Sequence, residues 1–306
     1  MPTPSRVPAP ARDAILAWYA ASGRRLAFRR TRDPYAVLVS ESMAQQTQAA
    51  RAAEYWERFM ARFPSVEALA AATPADVLRA WQGLGYDRRA LALWRTARMV
   101  VEQTDGQIPS AVAELEKLPG IGPYTARAVA AIAFGIPLGA VDVNVRRVLG
   151  RIAGIDPAAA HAPAMQRLAD ESVPAGHAAN WTHAVMDIGA TLCRPREPSC
   201  EACPARSWCR FASRATGRSR GASARSPRPR LVPATPFPAT NRWLRGRILD
   251  RLRAAPDGEW VPLDSSIGVH DVARVLAAAK AMAGDGVVEL APEEQGAGPR
   301  ARLPLA

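Results

Sequence analysis

Glu41 is the first residue of this chain whose setting suggests chemistry. It lies in Tyr-Ala-Val-Leu-Val-Ser-Glu-Ser-Met-Ala-Gln-Gln-Thr-Gln, residues 35–48. Val37, Leu38 and Val39 read as the buried face of a helix, with Ser40 and Glu41 near its end. A carboxyl among apolar residues is desolvated and its pKa rises, which suits a general acid near neutral pH. A lone Glu on a helix is far more often a surface residue, so the neighbours carry the weight. Gln45, Gln46 and Thr47 form a polar knuckle before a long helix reaching Phe59. A glutamine at an exposed turn can wedge into a base stack and hydrogen-bond base edges. The second cluster is Cys193, Cys200, Cys203 and Cys209, spaced C-x6-C-x2-C-x5-C, the only cysteines in the chain. Four clustered thiols behind an N-terminus with no signal-peptide core argue for metal rather than disulfides. Structural zinc usually shows two close pairs. One close pair with two outlying cysteines suits a cubane cluster held by four thiolates.

The element that organises these groups runs from Leu118 to Arg147. It reads Leu-Pro-Gly-Ile-Gly-Pro-Tyr-Thr-Ala, an apolar helix, then Val-Asp-Val-Asn-Val-Arg-Arg-Val. A helix over about 110–118 precedes a tight hairpin at Gly120 and Gly122, where positive φ angles are permitted. Pro123 opens the next helix, where a missing N–H costs little. The hairpin of Gly120, Ile121 and Gly122 turns backbone N–H groups outward at a helix N-terminus, a seat for phosphate. The carbonyls of Leu118 and Ile121 can hold a monovalent cation, Na+ or K+, that bridges to a phosphate. An ordinary helix–helix turn would use the same residues. Asp142, eighteen residues past Tyr124 and followed by Asn144 and two arginines, tips the balance.

The rest of the chain is read around that core. Its 306 residues carry 40 Lys and Arg against 28 Asp and Glu, a net charge of +12, which points to a polyanionic partner. The 48% apolar content suffices for helical cores, and no apolar run spans a bilayer. An intracellular, cytoplasmic protein at the nucleoid, monomeric and without a membrane partner, is expected. A first helix is predicted over 11–21, then an arginine-dense loop in which Arg29, beside Phe28, is placed near a substrate base. Helices are predicted near 66–71, 74–82 and 87–103. Between the last two, Trp81-Gln-Gly-Leu-Gly-Tyr-Asp-Arg-Arg suggests another tight turn, with Leu84 and Tyr86 protruding to intercalate at a distorted base pair. Gly85 and Arg88 complete that DNA-facing tip. Further helices are predicted around 145–153, 158–171 and 177–192, with Asp187 on the last. His161, His177 and His183 read as structural. Residues 212–240 form a basic linker, and 241–306 a small winged-helix-like domain of helices and a hairpin.

These motifs resemble the helix-hairpin-helix DNA glycosylase superfamily, and most closely its A/G-specific adenine glycosylases of the MutY type. The resemblance covers residues 11 to about 211. It implies a mainly α fold: two helical subdomains flanking a DNA cleft, the six-helix one over about 32–135, and an iron–sulfur loop, all within 1–211. It implies a monofunctional base excision repair enzyme cleaving adenine from mispairs with 8-oxoguanine or guanine in double-stranded DNA. Glu41 matches the acid that protonates adenine at N7, and Asp142 the carboxylate that stabilises an oxocarbenium-like sugar. Two carboxyls with separated pKa values are the device such cleavage needs. Asn144 and Tyr124 match residues beside that carboxylate. Arg29, Asp187, Leu26 and Phe28 fall in the adenine pocket, although Leu26-Ala27-Phe28 stands where the family has Leu-Pro-Trp. Gln46, Thr47, Leu84 and Tyr86 match residues probing the opposite base. The cysteine spacing matches the family's [4Fe–4S] loop. Ala44, Asp87 and Val143 depart from the family pattern, and no NUDIX-like C-terminal domain is apparent.

Three other readings stand beside this one. A mismatch thymine/uracil glycosylase of the same superfamily also pairs a carboxylate with Tyr at this position. A bifunctional endonuclease III-like glycosylase/lyase needs an amine nucleophile. The chain has only Lys117 and Lys280, and Tyr124 stands where the lyases place Lys. A non-catalytic DNA-binding protein would not need Glu41 and Asp142 in their motifs.

Overall fold

The computed structural model describes residues 7–156, 161–216, 235–292 and 298–305. The basic linker expected over 212–240 falls largely on 217–234, outside the described residues. Among the described residues the chain is helical apart from short turns and three short strands. In chain order the helices are α1 (Ala9–Ser22), α2 (Pro34–Ala44), α3 (Ala49–Arg62), α4 (Val66–Ala70), α5 (Pro74–Ala80), α6 (Arg88–Thr104) and α7 (Val112–Leu115). They continue as α8 (Pro123–Ala133), α9 (Val143–Ala153), α10 (Ala162–Ser172), α11 (Ala178–Thr191), α12 (Arg210–Thr216), α13 (Asn241–Ala254) and α14 (Val272–Gly284). The strands are β1 (Val261–Pro262), β2 (Glu289–Leu290) and β3 (Arg300–Arg302).

Two compact units emerge: residues 1–42 with 108–224, and 43–107 with 225–306. The first is built on α11, which packs against α1, α8 and α9. Ile15, Val148, Leu149, Met165, Trp181, Val185 and Ile188 form its core. Local chemistry starts its site helices. Asp33 caps α2, accepting from Tyr35 N at 3.3 Å and Ala36 N at 3.2 Å, with Pro34 at the first position. The helix expected over 110–118 is only α7, Val112–Leu115. Residues 116–118 continue as turns, with Leu118 N donating to Leu115 O at 3.1 Å. The physical reason is Pro119, which disfavours α geometry in the residue before it.

In the second unit α3–α6 enclose Phe59, Leu69, Leu78, Trp81, Leu91 and Leu93, all buried. Thr73 caps α5 with Pro74 behind it, as its sequence predicts. The C-terminal part has the order helix, strand, helix, two strands, with the sheet ordered β1-β3-β2 and antiparallel throughout. This is the element order that the winged-helix-like expectation for 241–306 is weighed against. The C-terminal part packs into the same unit as α5 and α6 through arginines. Arg253, almost fully buried, pairs with Asp87 at 2.6 Å and donates to Leu78 O at 3.1 Å. Arg79 binds the Ala255 carbonyl at 3.0 Å and the Asp257 carboxylate.

Candidate active site and probing loops

In the first unit α2 presents Glu41 inward, 8% exposed. Burial raises its pKa to about 7, reinforced by Asp142 and opposed by Arg29 and by Tyr124, whose phenol lies within hydrogen-bonding reach. The carboxyl is therefore half-protonated near neutrality, the state a general acid needs. The Tyr124 hydroxyl also lies 3.7 Å from Met186 Sδ. Burial pushes that phenol well above its ordinary value, helped by Glu41 and Asp142, so it stays a neutral donor.

Asp142 is held differently. It is the N-cap of α9, accepting from Asn144 N at 2.9 Å and Val145 N at 2.7 Å. Asn144 Nδ2 adds a third bond at 3.1 Å to the other carboxylate oxygen. Helix N-terminal N–H groups and the helix dipole favour negative charge there. Asn144 is in turn fixed by Arg147, which donates to its Oδ1 at 2.7 Å, to Gly189 O at 2.7 Å and to Cys193 O at 2.7 Å. Gly189 makes this approach possible: a Cβ there would lie 2.6 Å from Asn144 Cβ.

Asp187 and Arg29, each expected to line a base pocket, form an ion pair with one another. Arg29 makes two 2.8 Å bonds to Asp187, whose side chain is 0% exposed, and Arg24 adds bonds at 2.6 and 2.8 Å. Burial alone would raise the Asp187 pKa; the Arg29 and Arg24 bonds overcome it and hold the carboxyl below its usual range. Arg29 Nε stays buried without a hydrogen-bond partner. Phe28 is buried beside it and Leu26 half-buried. His183 packs near Tyr19, and burial with Arg29 drives it down to about 3, so it is a neutral structural group as expected.

The hairpin between α7 and α8 turns at Gly120, with φ of +76°, and closes through Ile121 N to Leu118 O at 3.1 Å. Gly122 departs from the expectation of a positive φ. It is the extended N-cap of α8, with φ of −92°, because Gly120 alone supplies the reversal. The four cysteines line one pocket with Val148, Ile152 and Ile188. Arg151 donates to Cys193 Sγ at 3.3 Å, and burial pushes the Cys203 thiol up to about 11. Among the described residues no three His, Cys, Asp or Glu side chains converge on a single-ion site.

The second unit holds the loops read as probing a base. Gln46 and Tyr86 adopt left-handed φ angles of 54° and 52°. Bulky residues avoid that region, and such strain gathers at functional turns. Gln46 is exposed and Tyr86 46% exposed. Leu84 corrects the expectation: it is 5% exposed, drawn inward while Tyr86 alone stands out. Arg88, in the same tip, is 71% exposed and pairs loosely with Asp285 at 3.3 Å.

Sequence reasoning passed over Arg89, one position on. Its guanidinium donates to Met43 O at 3.2 Å, Thr47 Oγ1 at 3.3 Å, Gly85 O at 3.1 Å and the Gln45 carbonyl. One side chain thus ties both turns together. The available signal was its position as the second residue of α6, directly after a Gly-rich turn whose carbonyls need donors.

A buried carboxyl poised near neutrality, beside a carboxylate fixed at a helix N-terminus after a Gly-Pro hairpin, defines an N-glycosylase of the helix-hairpin-helix class. Residues 39–174 match the HhH-GPD superfamily base excision DNA repair protein. The chain is 41% identical over 244 residues to an adenine DNA glycosylase of Mycolicibacterium smegmatis, covering 78% of this chain and 79% of the relative. It is 42% identical to that of Mycobacterium tuberculosis, covering 79% and 78%. It is 40% identical to that of Homo sapiens, over 66% of this chain and 39% of the human protein. Among solved structures, a thermostable thymine-DNA glycosylase aligns with a TM-score of 0.62 and 29% identity, covering 66% of this chain and 95% of that one. An endonuclease III–DNA complex, 22% identical with a TM-score of 0.57 and covering 68% and 95%, shares the fold. The chain belongs to the adenine DNA glycosylase (MutY-type) family of HhH-GPD base excision repair enzymes.

Proposed function

We propose that this DNA N-glycosylase is monofunctional and hydrolyses the glycosidic bond of adenine mispaired with 8-oxoguanine or guanine in duplex DNA. The observation that carries this is Glu41: a buried carboxyl at about pKa 7 within reach of Tyr124. Adenine is a poor leaving group until protonated, so Glu41 gives its proton to the base nitrogen N7 as the C1′–N9 bond breaks. The sugar gains positive charge, and Asp142, oriented by Asn144 and the α9 N-terminus, stands opposite that charge. Water then adds at C1′ and gives its proton to the Glu41 carboxylate, which restores the acid and leaves an abasic site and free adenine. Leu26, Phe28 and the Arg29–Asp187 pair form the wall we assign to the base. Gln46, Thr47 and Tyr86 are assigned to the partner base, with Leu84 packed behind them. The outward N–H groups of Gly120–Gly122 suit a phosphate, with Na+ or K+ on the Leu118 and Ile121 carbonyls.

Cys193, Cys200, Cys203 and Cys209 fit a [4Fe–4S] cluster. A cubane takes one thiolate per iron, so its sulfurs need not converge as closely as on a single zinc. The pocket they line is apolar, and the Cys200 and Cys203 thiols, pushed up by burial, need a positive centre to ionise. Bound there, the cluster would brace the loop beside α9. Iron and labile sulfide at about four each per chain are expected.

The test is a panel of duplexes with A opposite 8-oxoguanine, A opposite G, T opposite G and U opposite G, scored by released base. Release of adenine alone supports the proposal. Release of thymine or uracil would favour the second reading, which the thymine-DNA glycosylase likeness and Tyr124 support. Borohydride should trap no covalent adduct. Tyr124 cannot form an imine, and Lys117 stands before the hairpin, exposed beside Glu114.

A further inference from the structure

The winged-helix part has no role in the chemistry above, yet it builds a groove against the Tyr86 turn within its own unit. The groove, about 490 Å³, is lined by Gly83, Gly85 and Tyr86 on one side and by α13 and Phe237 on the other. That volume admits a stretch of polymer rather than a few waters, each of which needs about 10–15 Å³ on this measure. Five guanidinium groups face three carboxylates there. Arg253 is committed to Asp87, and Arg247 to Asp250 at 2.5 Å. Arg245 and Arg88 share Asp285 at 2.7 and 3.3 Å. Arg242 is exposed and forms no ion pair among the described residues; its guanidinium lies 5.1 Å from the centre of the Tyr86 ring. Phe237, 60% exposed, and Tyr86 frame it with apolar surface.

Arg242, exposed and without an ion pair among the described residues, keeps its donors available to an anion beside the aromatic surface of Tyr86 and Phe237. Arg is suited to phosphate because its planar fork donates in two directions. We propose that this groove seats the sugar-phosphate backbone of the DNA strand that Tyr86 probes, with Arg242 as the phosphate ligand. This gives the C-terminal part a binding function at the same turn. The proposal rests on the assignment of Tyr86 to the partner base.

Gly246 offers a way to close the groove. It lines the groove on α13, and a Cβ there would meet nothing within 4 Å. A side chain at this position projects into open space and removes a helix-weakening glycine. The experiment is duplex affinity by fluorescence anisotropy across a salt series, using full-length protein and DNA with a tetrahydrofuran abasic analogue opposite 8-oxoguanine. That duplex cannot be cleaved, so the readout is binding alone. Arg242→Ala should weaken binding about tenfold and lower the slope of log K against log salt by about 0.9, one phosphate contact. Arg242→Lys should keep the slope. Gly246→Glu should weaken binding at least as much as Arg242→Ala, while Gly246→Ala binds as wild type. Arg251→Ala, which removes the same charge elsewhere on α13, should leave the slope unchanged. An unaltered slope in Arg242→Ala, or an equal fall in Arg251→Ala, would overturn the proposal. So would a loss that vanishes when guanine replaces 8-oxoguanine, since Arg242 would then read the base. Failure of the wild type to release adenine would sink the proposed function instead and leave this binding test intact.

Discussion

The two halves of the machinery solve opposite problems. Around Glu41, Asp142 and Asp187 every charged group is buried or tethered, and the backbone is relaxed. At the Gln46 and Tyr86 turns the backbone is strained, the side chains are exposed, and one arginine holds both loops. Proton transfer and charge stabilisation need a low-dielectric, prearranged site, where electrostatic effects are large and cost no reorganisation. Probing a base pair, the role proposed above for Gln46 and Tyr86, needs side chains that reach out of the fold, and strained backbone there would give up stability for reach.

If that contrast is correct, the largest effect of any single change lies in the buried half. Glu41→Gln should slow single-turnover base release at least about a thousandfold, since general acid catalysis contributes 10²–10⁴ and a desolvated site uses it fully. DNA affinity should be retained, and near-normal excision would break the comparison. The same residue sets a pH dependence. Its folded pKa of about 7 lies above the ordinary 4.5, so the native state holds the proton more tightly than the unfolded chain. Stability from this group is full below about 4.5 and lost as pH rises through about 7, roughly 3 kcal/mol in all. Base release should fall over the same alkaline limb. Glu41→Gln should therefore unfold at higher temperature than wild type at pH 8 and lose that advantage at pH 4.5. Equal melting shifts at both pH values would remove burial as the cause.

Gly189→Ala comes next. The new Cβ would meet Asn144 at 2.6 Å and displace the start of α9, which Asp142 caps. Overpacking of this kind costs about 1–3 kcal/mol, and excision should drop by ten- to a hundredfold through misplacement of the carboxylate. A variant that loses stability but keeps its single-turnover rate would show that Asp142 does not need this support.

The exposed half should respond in discrimination rather than chemistry. Arg89→Ala cuts the shared tie of both turns, and the preference for mispaired over fully paired duplex should fall about tenfold in a competition binding assay. Loss confined to melting temperature would make Arg89 merely structural. The smallest effect is expected from Tyr86→Gly, which relieves the left-handed backbone. Melting should rise by an amount worth about 1 kcal/mol or less while mispair preference declines. A fall in melting temperature would mean that the arginine contacts to the ring, at 5.1 and 5.4 Å, outweigh the strain.

Local chemistry made much of this readable from the chain alone. The Pro-capped helices, the Gly120 reversal, the cysteine spacing and the apolar setting of Glu41 depend on residues close in sequence. Their consequences, a capped α5, a turn, four thiols in one pocket and a raised carboxyl pKa, followed. What the tertiary structure decided depends on residues far apart. Asp187 could have been a pocket wall or a structural charge until the fold brought Arg24 and Arg29 to it. Leu84 and Tyr86 share one turn and one motif, yet core packing buries the first and left-handed geometry exposes the second. Arg89, to which the sequence assigned no role, is set by α6 against the carbonyls of two separate turns. Arg242, 156 positions beyond Tyr86 in the chain, met that ring only because Arg253 and Arg79 lock α13 to α5. Spacing along a chain determines caps, turns and ligand sets; which distant charges meet, and which side chains are left without a partner, is determined by packing.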